Sequence, residues 1–386
     1  MARVLFLTAH SGGGHISLAE ALCDRLPPSA IASIADPLAG AIHTHYRLVS
    51  RHALGLWAAE FHATNTPRLA RALHQALAVI FGRRIDALVD QFQPSLVLST
   101  CAVLTESVRL ILARRERPAP FAMLLADAEQ LHATWLTARA AVAVLAPTRE
   151  SYREALAAGF PAERLHLVGW PLRKQFVQFG KRDCAAARAQ LQLDPERFTV
   201  FVQGGGEGTA GIVCTVEQAL ATGAAQVILA AGTNHALLER FRGAPGVRAF
   251  PFTPEIAPLM AAADVVLGKA GPNMLYEAVA LGKPFVATTY IPGQETGNLA
   301  QIERYGLGWV ALEGDRQRAL LAALAASPGM RAAMQETVER HRLWNAAANA
   351  SIGPLLHALC QSAAPASIRQ LSGAGEQLGA AASGEG

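Results

Sequence analysis

The chain has little charge, few aromatic residues and no run of apolar residues long enough to be a membrane span. Of its 386 residues 17% are charged, 6% aromatic and 51% apolar, and mean hydropathy is +0.22, the composition of a globular chain rather than a disordered one. Two stretches carry no charge, 218–238 and 343–368, but Gln, Asn, His, Gly or Pro interrupt both. A span needs about 20 predominantly apolar residues, so any membrane association is expected to be peripheral. The five cysteines, at 23, 101, 184, 214 and 360, are odd in number, widely spaced and form no C-x-x-C pair. That argues against a disulfide framework and a zinc site and fits a reducing, cytoplasmic compartment. The apolar start runs straight into a glycine loop, too short and wrongly flanked for a signal peptide.

Net charge is small, with 34 Lys and Arg against 30 Asp and Glu, or +4. This excludes a whole-surface nucleic-acid binder, but a local patch can hide in a mild average. Residues 37–85 hold six arginines (47, 51, 68, 71, 83 and 84) against one acid, Glu60, together with five of the twelve histidines. All of the net positive excess lies there. The arginines interleave with Leu48, Leu54, Leu56, Trp57, Phe61, Leu69, Val79 and Phe81. Such a pattern suits amphipathic helices on an anionic bilayer surface, or a solvated basic helix packed by its apolar face on a domain.

What the chain does have is a recurring alternation of short apolar runs, glycine turns and Ala/Leu-rich helical segments, the pattern of parallel α/β folds. Strands are predicted at Val4–Thr8, Leu96–Ser99, Ala122–Leu125 and Ala141–Leu145, then at Thr199–Gln203, Gln226–Ala230, Val265–Leu267 and Pro284–Thr288. The length allows two domains at about 100–200 residues each. Two Rossmann-like domains are therefore expected, 1–170 and 171–340, with a linker near 170–182. A helical segment at 341–361 would return to the first domain, and 362–386, rich in Ala, Ser, Gly and Gln, reads as a disordered tail.

Each half opens with a strand running into glycines, Phe6 to His15 through Ser11-Gly-Gly-Gly, and Val200 to Gly208 through Gly204-Gly-Gly-Glu. A strand, a glycine turn and a helix present free N–H groups and the positive end of a helix dipole, which suits a phosphate or a developing oxyanion. Neither loop is a Walker A or a G-x-G-x-x-G fingerprint, and glycines also serve simply to permit tight turns. A third cluster runs from Gly268-Lys269-Ala-Gly271-Pro-Asn273 through Glu277 to Pro292-Gly-Gln294-Glu295-Thr-Gly-Asn298. Its polar residues fall near the ends of successive predicted strands, the edge at which open α/β sheets bind ligands. A carboxylate there can hold a ribose diol, and an amide with a carboxylate can grip sugar hydroxyls.

Taken in order and spacing, these motifs resemble the family of monogalactosyldiacylglycerol synthases and processive diacylglycerol glucosyltransferases, and more distantly the N-acetylglucosaminyltransferase of peptidoglycan lipid intermediates. The resemblance runs from about residue 3 to 350 and takes in Asp127 through His132-Ala-Thr-Trp135, Gly169-x-Pro-Leu-Arg173, and Arg51 through Trp57 and Phe61 to Pro67. It implies a GT-B fold, two Rossmann-like domains facing each other across a cleft. It also implies inverting transfer of a hexose, galactose or glucose, from a UDP-sugar to diacylglycerol without a catalytic metal or cofactor.

By the same resemblance Gly205, Gly206 and Glu207 would lie by the diphosphate, Arg173 near its charge, and Glu277 on the ribose, with Lys269 also donor-binding. Gln294 and Glu295 would take the sugar, with Gly271 and Asn298 in the same loops, and Phe252 and Thr253 would meet the uracil. Inverting displacement needs a base for the acceptor hydroxyl and stabilisation of the leaving diphosphate. His15 is the leading candidate base, and Asp127 is either the base itself or an orienter of an imidazole. Gly13 and Gly14 would border the acceptor, and Trp57, Trp135, Arg47, Arg51, Arg68 and Arg71 would meet lipid or membrane. Transfer of N-acetylglucosamine to a polyprenyl-diphosphate or other lipid is the enzymatic alternative. A non-catalytic nucleotide-sugar-binding membrane protein is the alternative from another class. Ala9-His10-Ser11 and Ala133 depart from the family pattern on the acceptor side.

Overall fold

The protein was analysed as a computed structural model that describes residues 1–10, 13–38, 40, 43–45, 48–49, 53–179, 181–203 and 211–362, with backbone alone at 181–183. Twelve strands form two six-stranded sheets. In the first, β1 (Arg3–Leu7), β2 (Ile31–Ala35), β3 (Leu96–Ser99), β4 (Phe121–Leu124), β5 (Ala143–Ala146) and β6 (Leu165–Leu167) lie in the order β2-β1-β3-β4-β5-β6. In the second, β7 (Phe198–Gln203), β8 (Ala225–Gly232), β9 (Val247–Pro251), β10 (Val265–Lys269), β11 (Phe285–Thr289) and β12 (Gly308–Val310) lie in the order β12-β11-β10-β7-β8-β9. All pairings are parallel.

Inner strands such as β3, β4 and β5 are buried at every residue, as expected where helices cover both faces of a parallel sheet. The eight strands predicted from apolar runs are all present, with ends displaced by no more than two residues. The other four, β2, β6, β9 and β12, are the sheet edges. Strand order reverses between β1 and β3 in one sheet and between β7 and β10 in the other. A ligand crevice opens at such a switch point, beyond the carboxyl ends of the strands.

Residues 170–182, read from sequence as a polar linker, begin as a buried joint. Trp170, Leu172 and Phe176 are buried, and short helices occupy Lys174–Val177 and, from Lys181, Lys181–Gln190. Trp170 stacks on Tyr276 with ring centroids 5.0 Å apart. Its backbone N–H donates to Asn345 Oδ1 at 2.6 Å, and its indole N–H donates to Asn273 Oδ1 at 2.9 Å. The chain then crosses back through helices Pro328–Asn349 and Ile352–Ser362. Asn349 Nδ2 donates to Val168 O at 2.9 Å, and Arg25 donates to Asn349 Oδ1 at 3.0 Å. Ile352, Leu356 and Cys360 join the same core as β1. Residues 363–386 of the expected tail lie outside the described residues. None of the five cysteines is in a disulfide.

Two helices follow one another on the first half, Leu54–Thr64 and Pro67–Phe92. The second starts where Thr66 accepts from the Leu69 N–H, with Pro67 at its first turn. It buries Ala70, His74, Leu77, Ala78, Phe81, Ile85 and Val89, one stripe at helical spacing. Its other face exposes Arg68, Leu69, Arg71, Val79, Ile80, Arg83 and Arg84. Among the described residues no helix is long and apolar enough to cross a membrane.

Candidate active site

A cleft of about 670 Å³ lies between the carboxyl ends of the two sheets. On the first-half side Gly13, at φ +81°, turns the chain into helix Gly14–Cys23. This left-handed conformation is cheap only without a Cβ. The turn sets His15 in the first helical turn, beside Thr100 at the end of β3. His15 Nδ1 donates to Thr100 O at 2.7 Å, and Thr100 Oγ1 donates back to His15 O at 2.9 Å. A carbonyl can only accept, so the ring proton sits on Nδ1 and Nε2 carries the lone pair. Burial pushes the His15 pKa below its ordinary 6.5, against the Thr100 hydrogen bond and Asp36, which raise it. The imidazole is thus held neutral and oriented, the form a general base needs.

Asp127 lines the same cleft. Burial pushes its carboxyl up to about 7, with Glu295 and Glu154 adding to the rise and the Trp135 hydrogen bond opposing it. Trp135 Nε1 donates to Asp127 Oδ2 at 2.6 Å, and its ring is 0% exposed. This corrects the reading of Trp135 as a lipid contact. The indole faces inward because its N–H holds the carboxylate, and a side chain buried on all sides offers nothing to a bilayer. Asp127 bonds Trp135 and His15 bonds Thr100, so each candidate has its own anchor.

On the second-half side, β7 and β10 deliver Gln203 and Lys269 to the cleft, and helix Pro272–Ala280 delivers Glu277. Arg173 Nη2 donates to Glu277 Oε1 at 3.0 Å. Burial raises the Glu277 pKa to about 7, while Arg173 pulls it down. Lys269 Nζ donates to Glu295 Oε1, and Glu295 Oε2 accepts from the Ile291 N–H at 2.7 Å, so this carboxylate braces its own turn. Beside it Gln294 lines the cleft with a buried Oε1 that has no hydrogen-bond partner among the described residues. Phe252, 63% exposed, and Thr253 form one wall.

The cleft therefore gathers Gly13, Gly14, His15 and Asp127 on one side. Arg173, Phe252, Thr253, Lys269, Gly271, Glu277, Gln294 and Glu295 face them. Asn298 is not among them: it is buried, and its amide donates to Ala270 O at 2.8 Å, holding the strand-to-helix turn from behind. Trp57, Arg68 and Arg71 also lie elsewhere, Trp57 half-buried on its helix and the two arginines exposed. Gly205, Gly206, Glu207, Arg47 and Arg51 lie outside the described residues. One residue has a function that its sequence position gave no means of assigning. Asn273 Nδ2 donates to Gly14 O at 2.8 Å while its Oδ1 receives Trp170, so one amide of the second half ties the first glycine turn to the joint at Trp170. Its partner lies 259 residues away, and residue type alone does not reveal such a contact.

Residues 31–172 match the family described as monogalactosyldiacylglycerol (MGDG) synthase, and 199–341 match the glycosyltransferase family 28 C-terminal domain. Each half of the chain is thus similar to a glycosyltransferase family, the first half to monogalactosyldiacylglycerol synthases. A probable monogalactosyldiacylglycerol synthase 2, chloroplastic, of Oryza sativa subsp. indica is 26% identical over 330 residues, covering 79% of this chain and 70% of its own. Monogalactosyldiacylglycerol synthase 3, chloroplastic, of Arabidopsis thaliana is 26% identical over 334 residues with the same coverage. Among solved structures, Acinetobacter baumannii MurG superposes with a TM-score of 0.61 at 15% identity, over 92% of this chain and 99% of that one. The architecture is GT-B, and the gap between the two family regions, 173–198, begins just after the buried joint at Trp170.

The Trp135 bond predicts a measurable effect. Trp135→Phe keeps the aromatic packing and removes the hydrogen bond that lowers the Asp127 pKa. A hydrogen bond to a charged group contributes about 1.5–3 kcal/mol. The Asp127 carboxyl is therefore expected to titrate above 7 in the variant, readable by NMR of the labelled carboxyl, and an unmoved titration would overturn the assignment.

Proposed function

We propose that this protein is an inverting glycosyltransferase that moves a hexose, galactose by its family, from a UDP-sugar to the hydroxyl of diacylglycerol. The observation that carries the reading is the opposition across one cleft of a neutral, Nδ1-anchored His15 and the group of Arg173, Lys269, Glu277 and Gln294. The acceptor hydroxyl gives its proton to His15 Nε2 as its oxygen bonds the anomeric carbon. The bond from that carbon to the diphosphate breaks, and UDP leaves with the electron pair. Arg173 and Lys269 supply positive charge where the leaving group gains negative charge. Glu277 takes the ribose and Gln294 the sugar, with the glycine loop at 204–208 by the diphosphate.

Two cationic side chains at the leaving group support the further proposal that no divalent ion is required, which turnover in excess EDTA would test. The deciding experiment offers the protein labelled UDP-galactose, UDP-glucose or UDP-N-acetylglucosamine with diacylglycerol vesicles. A labelled glycolipid is expected from a UDP-hexose. Release of UDP to water alone, or no product with any lipid, overturns the reading.

We also propose that the enzyme works as a peripheral protein on an anionic, cytoplasmic membrane face. The support is the outer face of helix Pro67–Phe92, where Arg68, Arg71, Arg83 and Arg84 alternate with Leu69, Val79 and Ile80, of which Val79 is 75% exposed. A basic residue near an anionic surface contributes about 1 kcal/mol. Arg68→Ala with Arg71→Ala is therefore expected to weaken sedimentation with phosphatidylserine vesicles roughly thirtyfold, with no change on neutral vesicles. Equal loss on both would remove the electrostatic patch.

A further inference from the structure

Helix Leu54–Thr64 is seated shallowly. None of its residues is fully buried, and Leu54 and Leu56 are 38% and 52% exposed on its outer side. Its inner face, Trp57, Phe61 and Thr64, falls at i, i+4 and i+7, one stripe of a helix. Among its fastenings are two hydrogen bonds to the turn at 132–133. His132 Nε2 donates to Phe61 O at 3.2 Å, and the Ala133 N–H donates to Asn65 Oδ1 at 2.8 Å. The Phe61 ring lies 4.7 Å from the His132 ring. Residues 132–135 form the turn that ends in Trp135, the holder of Asp127.

The other side of the Phe61 ring reaches across to the second half. A Cβ added to Gly293 would stand 2.7 Å from Phe61 Cδ1 and 3.0 Å from Cγ, and Gly293 has φ +83°. The ring therefore occupies the space that a side chain at 293 would fill, directly before Gln294 and Glu295. Glu295 is tied to Lys269 and to its own backbone. The Gly293 N–H bonds Thr296 Oγ1 at 3.1 Å, whereas Gln294 Oε1 has no partner among the described residues. The orientation of the Gln294 amide thus depends on the turn that precedes it, and Phe61 is packed on that turn.

We infer that Phe61 is a positioning residue that transmits the seating of helix Leu54–Thr64 to the Gln294 turn, so that the donor sugar is held correctly only while this exposed, acceptor-side helix is pressed onto the body. The inference rests on the transferase reading of the cleft. Its chemical logic is that a donor gripped without its lipid acceptor would be open to water, whereas a grip completed through an apolar surface helix responds to the lipid surface. Arg173 and Glu277 lie on other elements, so nucleotide binding is not routed through Phe61.

The test uses the full chain with diacylglycerol vesicles and compares Phe61→Ala, Phe61→Leu, Gly293→Ala and the Phe61→Ala/Gly293→Ala pair. For Phe61→Ala the expected result is a donor KM raised about tenfold or more and a lower kcat. UDP affinity stays within about twofold of the wild type, and the larger apolar side chain of Phe61→Leu restores much of the loss. The pair should lose less than the product of its single losses, because the methyl at 293 no longer meets the ring. Equal losses of UDP and UDP-sugar affinity, or losses that simply multiply, would assign Phe61 to general packing and overturn the inference, as would wild-type kinetics in Phe61→Ala. If the unaltered chain makes no glycolipid, the transferase reading fails instead. The inference is then judged on the ratio of UDP-galactose to UDP affinity, which Phe61→Ala must still lower.

Discussion

His15→Ala is expected to lower kcat by about 10²–10⁴, the usual contribution of a positioned general base, while UDP affinity stays within about twofold. Alanine is favourable in the first turn of helix Gly14–Cys23, so the helix should persist. Thr100 O loses its imidazole donor, but Thr100 keeps its Oγ1 bond to the backbone carbonyl at position 15. The pH dependence separates the two candidate bases. A base must be unprotonated, and activity falls on the acid side as it gains a proton. Burial moves the His15 pKa below 6.5, whereas it moves Asp127 up to about 7. An acid limb of kcat/KM with its midpoint below 6.5 therefore identifies His15. A limb near 7 that survives as residual activity in His15→Ala identifies Asp127. Turnover in His15→Ala within twofold of the parent chain would remove His15 as base.

Glu277→Ala is expected to weaken UDP binding by about ten- to a hundredfold, the loss of a charged hydrogen bond of about 1.5–3 kcal/mol. Glu277 is buried on helix Pro272–Ala280 and meets the Arg173 guanidinium at 3.0 Å. Two effects combine in the variant, removal of the ribose partner and loss of the group that holds Arg173. Glu20, 3.9 Å from Arg173 Nη1, remains as a looser partner, so the fold should survive. Calorimetric titration with UDP and with vesicles separates the roles, since vesicle binding should not change. Unaltered UDP affinity would overturn the ribose assignment.

Burial explains which strands were legible. β3, β4 and β5 are covered on both faces, so their residues are uniformly apolar and stand out against the glycine turns around them. β2, Ile31–Ala35, is an edge strand whose five residues are all at least partly exposed, β6 and β12 are three residues long, and β9 carries Arg248 within a half-exposed run. An edge has one neighbour and open space on the other side, so its residues are not forced to be apolar. The site divides in a similar way. His15, Lys269, Glu277 and Gln294 sit next to glycine turns or strand ends, where local sequence already signals a ligand edge. The role of Trp135 was misassigned because an indole reads alike whether it meets lipid or a carboxylate, and its partner eight residues away does not announce which way the ring turns.

Sequence by itself determined the alternation of strands and helices, the glycine turns that open each half, the +5 basic segment at 37–85 within a +4 chain, and the resemblance to one family. These are local properties, set by side-chain period, backbone freedom and residue type within a few positions. Tertiary structure alone decided that Arg173 and Glu277 are partners, that Asn273 ties Gly14 to Trp170, that Asp127 is held by an inward indole, and that Phe61 fills the space beside Gly293. The Arg173, Asn273 and Phe61 contacts join segments that the chain brings together only when the two sheets close on a common joint, and the Asp127 contact depends on which way a ring packs, so all four arise from packing in three dimensions rather than from sequence pattern.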